Sequence, residues 1–184
     1  RLLTGVYLYD GVTSIGEGAF YNTDISSINL PSSLRTIGDD AFYGTALTSL
    51  SLPTGLTALG QRAFSYCTSL TGSVTIPSAI TEIPAALLRG STLTEVILHN
   101  GVTSIGVGAF SATKISAISL PSSLRTIGDE AFYNNAALQS ITLPAGLTTI
   151  GSSAFRDTYY LAEVRLEGAA PSLGDEFVFR NVGR

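Results

Sequence analysis

Few side chains in this 184-residue chain could do chemistry, and their spacing argues against it. There is one histidine, His99, and one cysteine, Cys67. A single His excludes any centre built from two histidines, including a His-Glu-x-x-His zinc site. A Ser-His-Asp arrangement would have to use His99, which stands where five other repeats carry Pro and so reads as an exposed loop residue. Ser is too abundant to be a signal. Paired carboxylates occur at Asp39-Asp40 and Asp129-Glu130, four and five residues beyond Arg35 and Arg125. A duplicated pair on a turn reads as local Arg–Asp pairing rather than acid–base catalysis. Gly106-Val107-Gly108 lacks the third glycine and the following helix of a phosphate loop. The sequence predicts no catalytic residue, no metal site and no cofactor: a protein that is not an enzyme.

Composition narrows the partners. Apolar residues make up 45% of the chain and charged residues 13%, so Ser, Thr and Gly must cover much of the surface. The net charge of −4, with nine Arg and one Lys scattered along the chain, opposes a nucleic-acid partner. No apolar run approaches the ~18–20 residues of a membrane-spanning helix. One Cys cannot form an internal disulfide. The chain opens at Arg1 and contains no Met, which reads as a mature form or an excised part of something longer, and the compartment is left open.

What the sequence does carry is a period. Ten residues, Leu30–Asp39, recur letter for letter at Leu120–Asp129. Ile-Gly-x-x-Ala-Phe, or a near copy, ends in turn at Phe20, Phe42, Phe64, Phe110, Phe132 and Phe155, and Ile83-Pro84-Ala85-Ala86-Leu87-Leu88 fills the one gap. The spacings are 22, 22, 24, 22, 22 and 23 residues, the mark of a solenoid. Between these anchors runs an alternating triplet, as in Ile25, Ile28 and Leu30, followed in most copies by Pro. Eight copies, centred on Val6, Ile28, Leu50, Val74, Val96, Ile118, Ile141 and Val164, predict eight short strands. Residues 10–45 match residues 100–135 at 26 of 36 positions, so a four-repeat block was duplicated. The predicted architecture is one domain, 1–184, in two blocks of roughly 1–90 and 91–184. The strands should form a continuous parallel sheet, the Ile-Gly glycines should permit a tight bend, and Ala-Phe should fill the core. At the fourth unit the extra residue at Gly72-Ser73, Pro84 for Gly and Leu88 for Phe predict a bulge or bend. Phe177-Val178-Phe179 reads as a hydrophobic end piece, and the ends lack polar caps, which suggests further repeats or end-to-end contact with another subunit.

The combination of Ala-Phe, the strand triplet and Leu-Pro resembles the BspA-like leucine-rich repeats, from about Leu3 to about Leu166. The resemblance implies a right-handed solenoid of about eight 22–24-residue coils, conventionally grouped with α/β proteins, used for protein recognition and adhesion. It favours an extracellular or cell-surface location, with an organellar or intracellular assembly as the alternative. The Cys of that repeat type survives only as Cys67; Thr23, Thr45, Ser91, Thr113, Asn135 and Thr158 hold the same slot. Such a column reads as hydrogen-bonding groups satisfying backbone amides between coils, not as a reactive thiol.

Function should therefore lie on the exterior. The sheet face presents Tyr7, Asn29, Ser51, Thr75, Glu95, Ile97, Ser119, Thr142, Glu163 and Arg165 as a candidate protein-binding surface. Tyr21, Tyr43 and Tyr133, with Arg89 and Arg156 in the same column, form a candidate docking edge. The expected function is a non-enzymatic recognition or adhesion module with a protein partner. The alternative is a rigid structural subunit or spacer in a larger, membrane-associated assembly. A remote third is glycan or ice binding by the Ser/Thr columns.

Overall fold

The computed structural model describes residues 3–183, and no helix occurs among them. Each coil comprises a strand triplet and the following Ile-Gly-x-x-Ala-Phe unit, giving coil 1 (Val6 to Phe20) through coil 8 (Val164 to Phe179). The regular structure among the described residues is short parallel strands and turns. On the main face lie β1 (Gly5–Tyr7), β3 (Ser27–Asn29), β6 (Ser73–Thr75), β8 (Glu95–Ile97), β11 (Ser140–Leu143) and β13 (Glu163–Leu166). Their central residues stay in register from coil to coil, Val6 opposite Ile28, Val74 opposite Val96 and Ile141 opposite Val164.

The expected continuous sheet is not what forms. The main face is three separate pairs, β1-β3, β6-β8 and β11-β13, because coils 3 and 6 drop out. Among the described residues, no backbone hydrogen bond joins 49–52 or 117–120 to a neighbouring coil. A two-residue link, Thr68-Ser69 or Ala136-Ala137, precedes coils 4 and 7, but Tyr159-Tyr160 likewise precedes coil 8, which pairs with coil 7 in register, so link length alone does not decide which rung is lost.

A second ladder, which the sequence reading missed, carries more of the stack. It runs β2 (Ser14–Ile15), β4 (Thr36–Ile37) and β5 (Ala58–Leu59), then β7 (Glu82–Ile83), β9 (Ser104–Ile105), β10 (Thr126–Ile127), β12 (Thr149–Ile150) and β14 (Ser172–Leu173). The first three form one sheet and the last five another. In each Thr-Ile or Ser-Ile pair the polar residue faces out and the Ile faces in, so two residues suffice to set the register.

A turn closes each coil on the Phe side. It carries two left-handed residues, such as Asp40 (φ 54°) and Gly44 (φ 65°) in coil 2, which aim alternate N–H groups along the stack. Asp40, Phe42 and Gly44 thereby donate to the carbonyls of Gln61, Ala63 and Ser65 in the next coil, at 2.8–2.9 Å. The rings behind these turns stack, Phe20, Phe42 and Phe64 at 5.1 Å between centroids and Phe132, Phe155 and Phe179 at 5.1–5.3 Å, while Phe110 meets Phe132 at 5.5 Å with its plane tilted by 45°. Phe179 is thus not a loose end piece. It completes coil 8, with Val178 buried in the Ala slot.

The Ile-Gly glycines do a different job from the one expected. Gly38 has no left-handed φ and makes no special bend. Its N–H donates to the Ile15 carbonyl of the coil before, at 2.9 Å, and a Cβ there would lie 2.7 Å from the Glu17 nitrogen. At Gly60, Gly128 and Gly151 a Cβ would lie 2.2, 2.8 and 2.3 Å from backbone nitrogen of the preceding coil. Among the described residues nothing lies within 4 Å of a Cβ at Gly16, in coil 1. The slot demands glycine because two backbones touch. Gly128→Ala should therefore cost about 1–3 kcal/mol, as overpacking does, while Gly16→Ala should stay within about 0.5 kcal/mol of wild type. Urea denaturation of both variants checks this; equal costs would refute it.

Candidate functional site

All ten proposed sheet-face residues are exposed, yet the fold does not use them alike. Asn29 is committed to the backbone of coil 1: its Nδ2 donates to the Leu8 carbonyl at 2.8 Å and its Oδ1 accepts from the Leu8 N–H at 2.9 Å. Arg165 Nη2 donates to Glu163 Oε1 at 2.8 Å, so the two charges at the far end satisfy each other. Tyr7 stands alone at the near end, 80% exposed. Ser51 and Thr75 lie on coils 3 and 4.

The remaining four are brought together. Glu95, Ile97, Ser119 and Thr142 line one open groove of about 490 Å³, joined by Ala117, Ser140 and Glu167. Its floor is coil 6, where the main-face strand is missing and the side chains are only Ala117 and Ser119. Its walls are β8 and β11, whose edges toward coil 6 have no ladder partner. The lining carries two carboxylates, Glu95 and Glu167, and no Lys, Arg or His. Of its large apolar side chains Ile97 is the most open to solvent, 45% exposed. Glu167 escaped the sequence reading because it follows its strand and belongs to neither column. The groove escaped it because period-two alternation gives no sign that a strand will fail to pair.

The Tyr-bearing edge also divides. Tyr21 and Tyr43 stack at 4.9 Å with 11° between ring planes, and Tyr43 meets Tyr66 at 5.4 Å and 58°. Tyr66 was missed because it lies one residue past the expected slot, which Ser65 fills while its Oγ donates to the Ala86 carbonyl. Its ring lies over Gly90, where a Cβ would come within 2.8 Å. Stacked rings turn their faces to one another and present edges and hydroxyls outward. Desolvation, then the neighbouring phenols Tyr21 and Tyr66, push the Tyr43 hydroxyl above its ordinary pKa. Farther along, the Arg156 guanidinium lies 5.9 Å from the Tyr133 ring centroid, a separate pair. Arg89 stands between the two groups, half-buried.

Three expectations about the other polar residues need correction. Arg35 and Arg125 do not pair with the acidic doublets. Each Nη1 donates to carbonyls of its own turn, Ser32 and Leu34 or Ser122 and Leu124, and occupies the space over Gly55 or Gly146 of the next coil. The doublets instead bind forward: Asp39 and Asp129 each accept, at 2.7 Å, the N–H of Gln61 or Ser152. Asp40 pairs with Arg62 at 2.6 Å.

The Cys67 column, second, donates to carbonyls rather than accepting from amides, except at Ser91, whose buried hydroxyl has no partner among the described residues. Thr45 and Thr113 donate to Phe42 and Phe110 of their own turn, and Cys67 Sγ and Asn135 Nδ2 reach those same two carbonyls from one coil away. Third, His99 is half-buried, not a free loop residue. Its Nδ1 accepts from the Gly101 N–H and its Nε2 meets the Ile80 carbonyl, both at 3.0 Å, which fits the tautomer protonated at Nε2. It ties coil 5 to coil 4. No group of three His, Cys, Asp or Glu residues placed to hold a metal occurs among the described residues.

Two measurements follow from these burials. Burial pushes the Cys67 thiol up, so an alkylating reagent at pH 8 should modify Cys67 only as the chain unfolds; modification of the native protein at the unfolded rate would contradict this. The raised Tyr43 pKa means the folded state holds its proton more tightly than the unfolded chain. Its contribution to stability is complete below the ordinary value of 10.0 and is lost as pH rises through the folded value. Tyr43→Phe should reduce the alkaline loss of stability between pH 9 and 11, read by urea midpoints, and an identical pH profile would refute it.

Comparison with known proteins agrees with this geometry. The family model for the BspA type leucine-rich repeat region, six copies, matches residues 2–111 and 72–182. No curated protein matches. Among solved structures, the leucine-rich repeat protein of T. pallidum is 29% identical with a TM-score of 0.57, covering 92% of this chain and 72% of that one. A leucine-rich repeat protein from Bacteroides ovatus is 22% identical with a TM-score of 0.52, covering 97% and 64%. A leucine-rich cell surface protein from Faecalibacterium prausnitzii is 25% identical with a TM-score of 0.49, covering 91% and 60%. The chain thus spans less than two thirds of the length of the last two. Eight parallel coils, a stacked Phe spine and the matched repeats lead to one statement: the chain belongs to the BspA type leucine-rich repeat family.

Proposed function

We propose that this protein is a non-enzymatic recognition module that holds a protein partner in the groove over coil 6. The observation that carries the reading is the lining of that groove: two carboxylates from coils five and eight, an exposed Ile97, the hydroxyls of Ser119, Ser140 and Thr142, and no basic residue. Such a lining suits a partner segment that brings one or more Lys or Arg side chains beside an apolar one. Small floor residues let a partner's backbone approach, and the absence of ladder bonds along residues 117–120 leaves main-chain donors and acceptors free to meet it. Exposure of the partner outside the cell, or at its surface, is the setting the family resemblance favours and forms part of the proposal.

The test is a photo-crosslinking amino acid at Ser119, on the groove floor, compared with one at Thr126, on the second ladder, in the native host. Ser119 should yield a discrete protein adduct and Thr126 none. Charge reversal of Glu95 and Glu167 together should reduce that adduct at least tenfold while leaving the urea midpoint unchanged. Equal adducts from both positions, or an adduct indifferent to the charge reversal, would remove the groove as the site.

A further inference from the structure

Several irregularities of the stack converge on one junction, between coils 3 and 4. The second ladder stops there, leaving sheets of three and five strands with the edges of β5 and β7 unpaired. The main-face strands also fail to pair there, since coil 3 contributes none. At every other junction among the described residues, at least one ladder continues. The ring stack is interrupted as well, because Leu88 stands between Phe64 and Phe110. Gly72, an added residue with φ 79°, opens coil 4's strand.

Pro84 accounts for the break in two ways. In coils 2, 3, 5, 6, 7 and 8 the glycine of this slot, Gly38, Gly60, Gly106, Gly128, Gly151 or Gly174, donates its N–H to the preceding coil at 2.7–2.9 Å. Proline has no N–H to donate, so the Leu59 carbonyl loses its partner. The slot also has no room for a Cβ at normal spacing, as the glycines show, and proline brings a whole ring. The coils part, and an open fissure of about 610 Å³ lies between them, bordered by Asp39, Leu59, Gln61, Glu82 and Pro84.

The backbone bonds that still join the two coils lie on the other side. Arg62, Phe64 and Tyr66 donate to the carbonyls of Ala85, Leu87 and Arg89 at 2.6–3.0 Å, and Thr71 donates to Thr48 at 3.2 Å. A line of bonds along one edge, with both ladders open beyond it, is the geometry of a hinge. We infer that coils 1–3 and coils 4–8 are two arms that flex about this Phe-side line, with the fissure as its open side. The Tyr21–Tyr43–Tyr66 edge belongs to the first arm and the acidic groove to the second. Flexing changes the curvature of the sheet face and the relation between these two surfaces. The inference does not depend on what the groove binds.

Pulsed electron paramagnetic resonance tests it in a Cys67→Ser background, Ser being the residue that Ser91 places in the same slot. Nitroxides at Thr13 and Thr148 span the hinge; nitroxides at Thr81 and Ser172 span four coils of one arm. The Thr13–Thr148 distance distribution should be at least twice as wide as the control. Pro84→Gly restores the donor and removes the ring, and should narrow it to the control's width. Equal widths in the unsubstituted protein overturn the hinge even if Pro84→Gly fails to fold. A well-folded Pro84→Gly protein with an unchanged wide distribution overturns it too.

Discussion

The distance between one coil's backbone and the next governs this molecule. The Ile-Gly slot shows it most plainly: from coil 2 onward, except at Pro84 in coil 4, the amide bonds the carbonyl before it, and the space a Cβ needs is already filled by backbone. From that contact the rest follows. Close spacing aligns the Phe rings at stacking distance, seats Thr, Asn and Cys67 over the carbonyls of the Phe turns, and lets two-residue strands pair in register. No coil could hold its shape alone, since each donates half its turn bonds outward to a neighbour.

That dependence explains why one residue matters so much at coil 4. A point substitution inside a globular core is absorbed by rearranging side chains. In a stack, removing an N–H and adding a ring at the contact plane acts on backbone, which cannot rearrange without parting the coils. The opposite side stays joined because its bonds come from a turn that Pro84 does not touch. Coil 6 is a milder case: its main-face rung is lost while the second ladder continues through β10, so the stack stays closed and only a surface groove results.

The chemistry left on the outside is sparse. Histidine, cysteine and several carboxylates turn out to be employed in joining coils: His99 between coils 4 and 5, Cys67 across one turn, Asp39, Asp40 and Asp129 onto the coil that follows. Residues spent in this way are unavailable for recognition. The groove over coil 6 is the place where small side chains, free main-chain groups and unpaired carboxylates coincide.

The sequence by itself determined the repeat, its length, the number of coils, the Phe spine with Ala beside it, and the site of the irregularity at Pro84. Periodicity records which side chains face inward, and inward-facing side chains are what these features consist of. It also named Glu95, Ile97, Ser119 and Thr142 as outward. Only the tertiary structure decided that those four share a groove with Glu167, that Asn29 is bound to Leu8, and that Tyr66 rather than Tyr133 continues the aromatic edge. Each of these depends on the height of one coil relative to the next. That height is set by all the backbone bonds between coils together, and no pattern within a single coil encodes it.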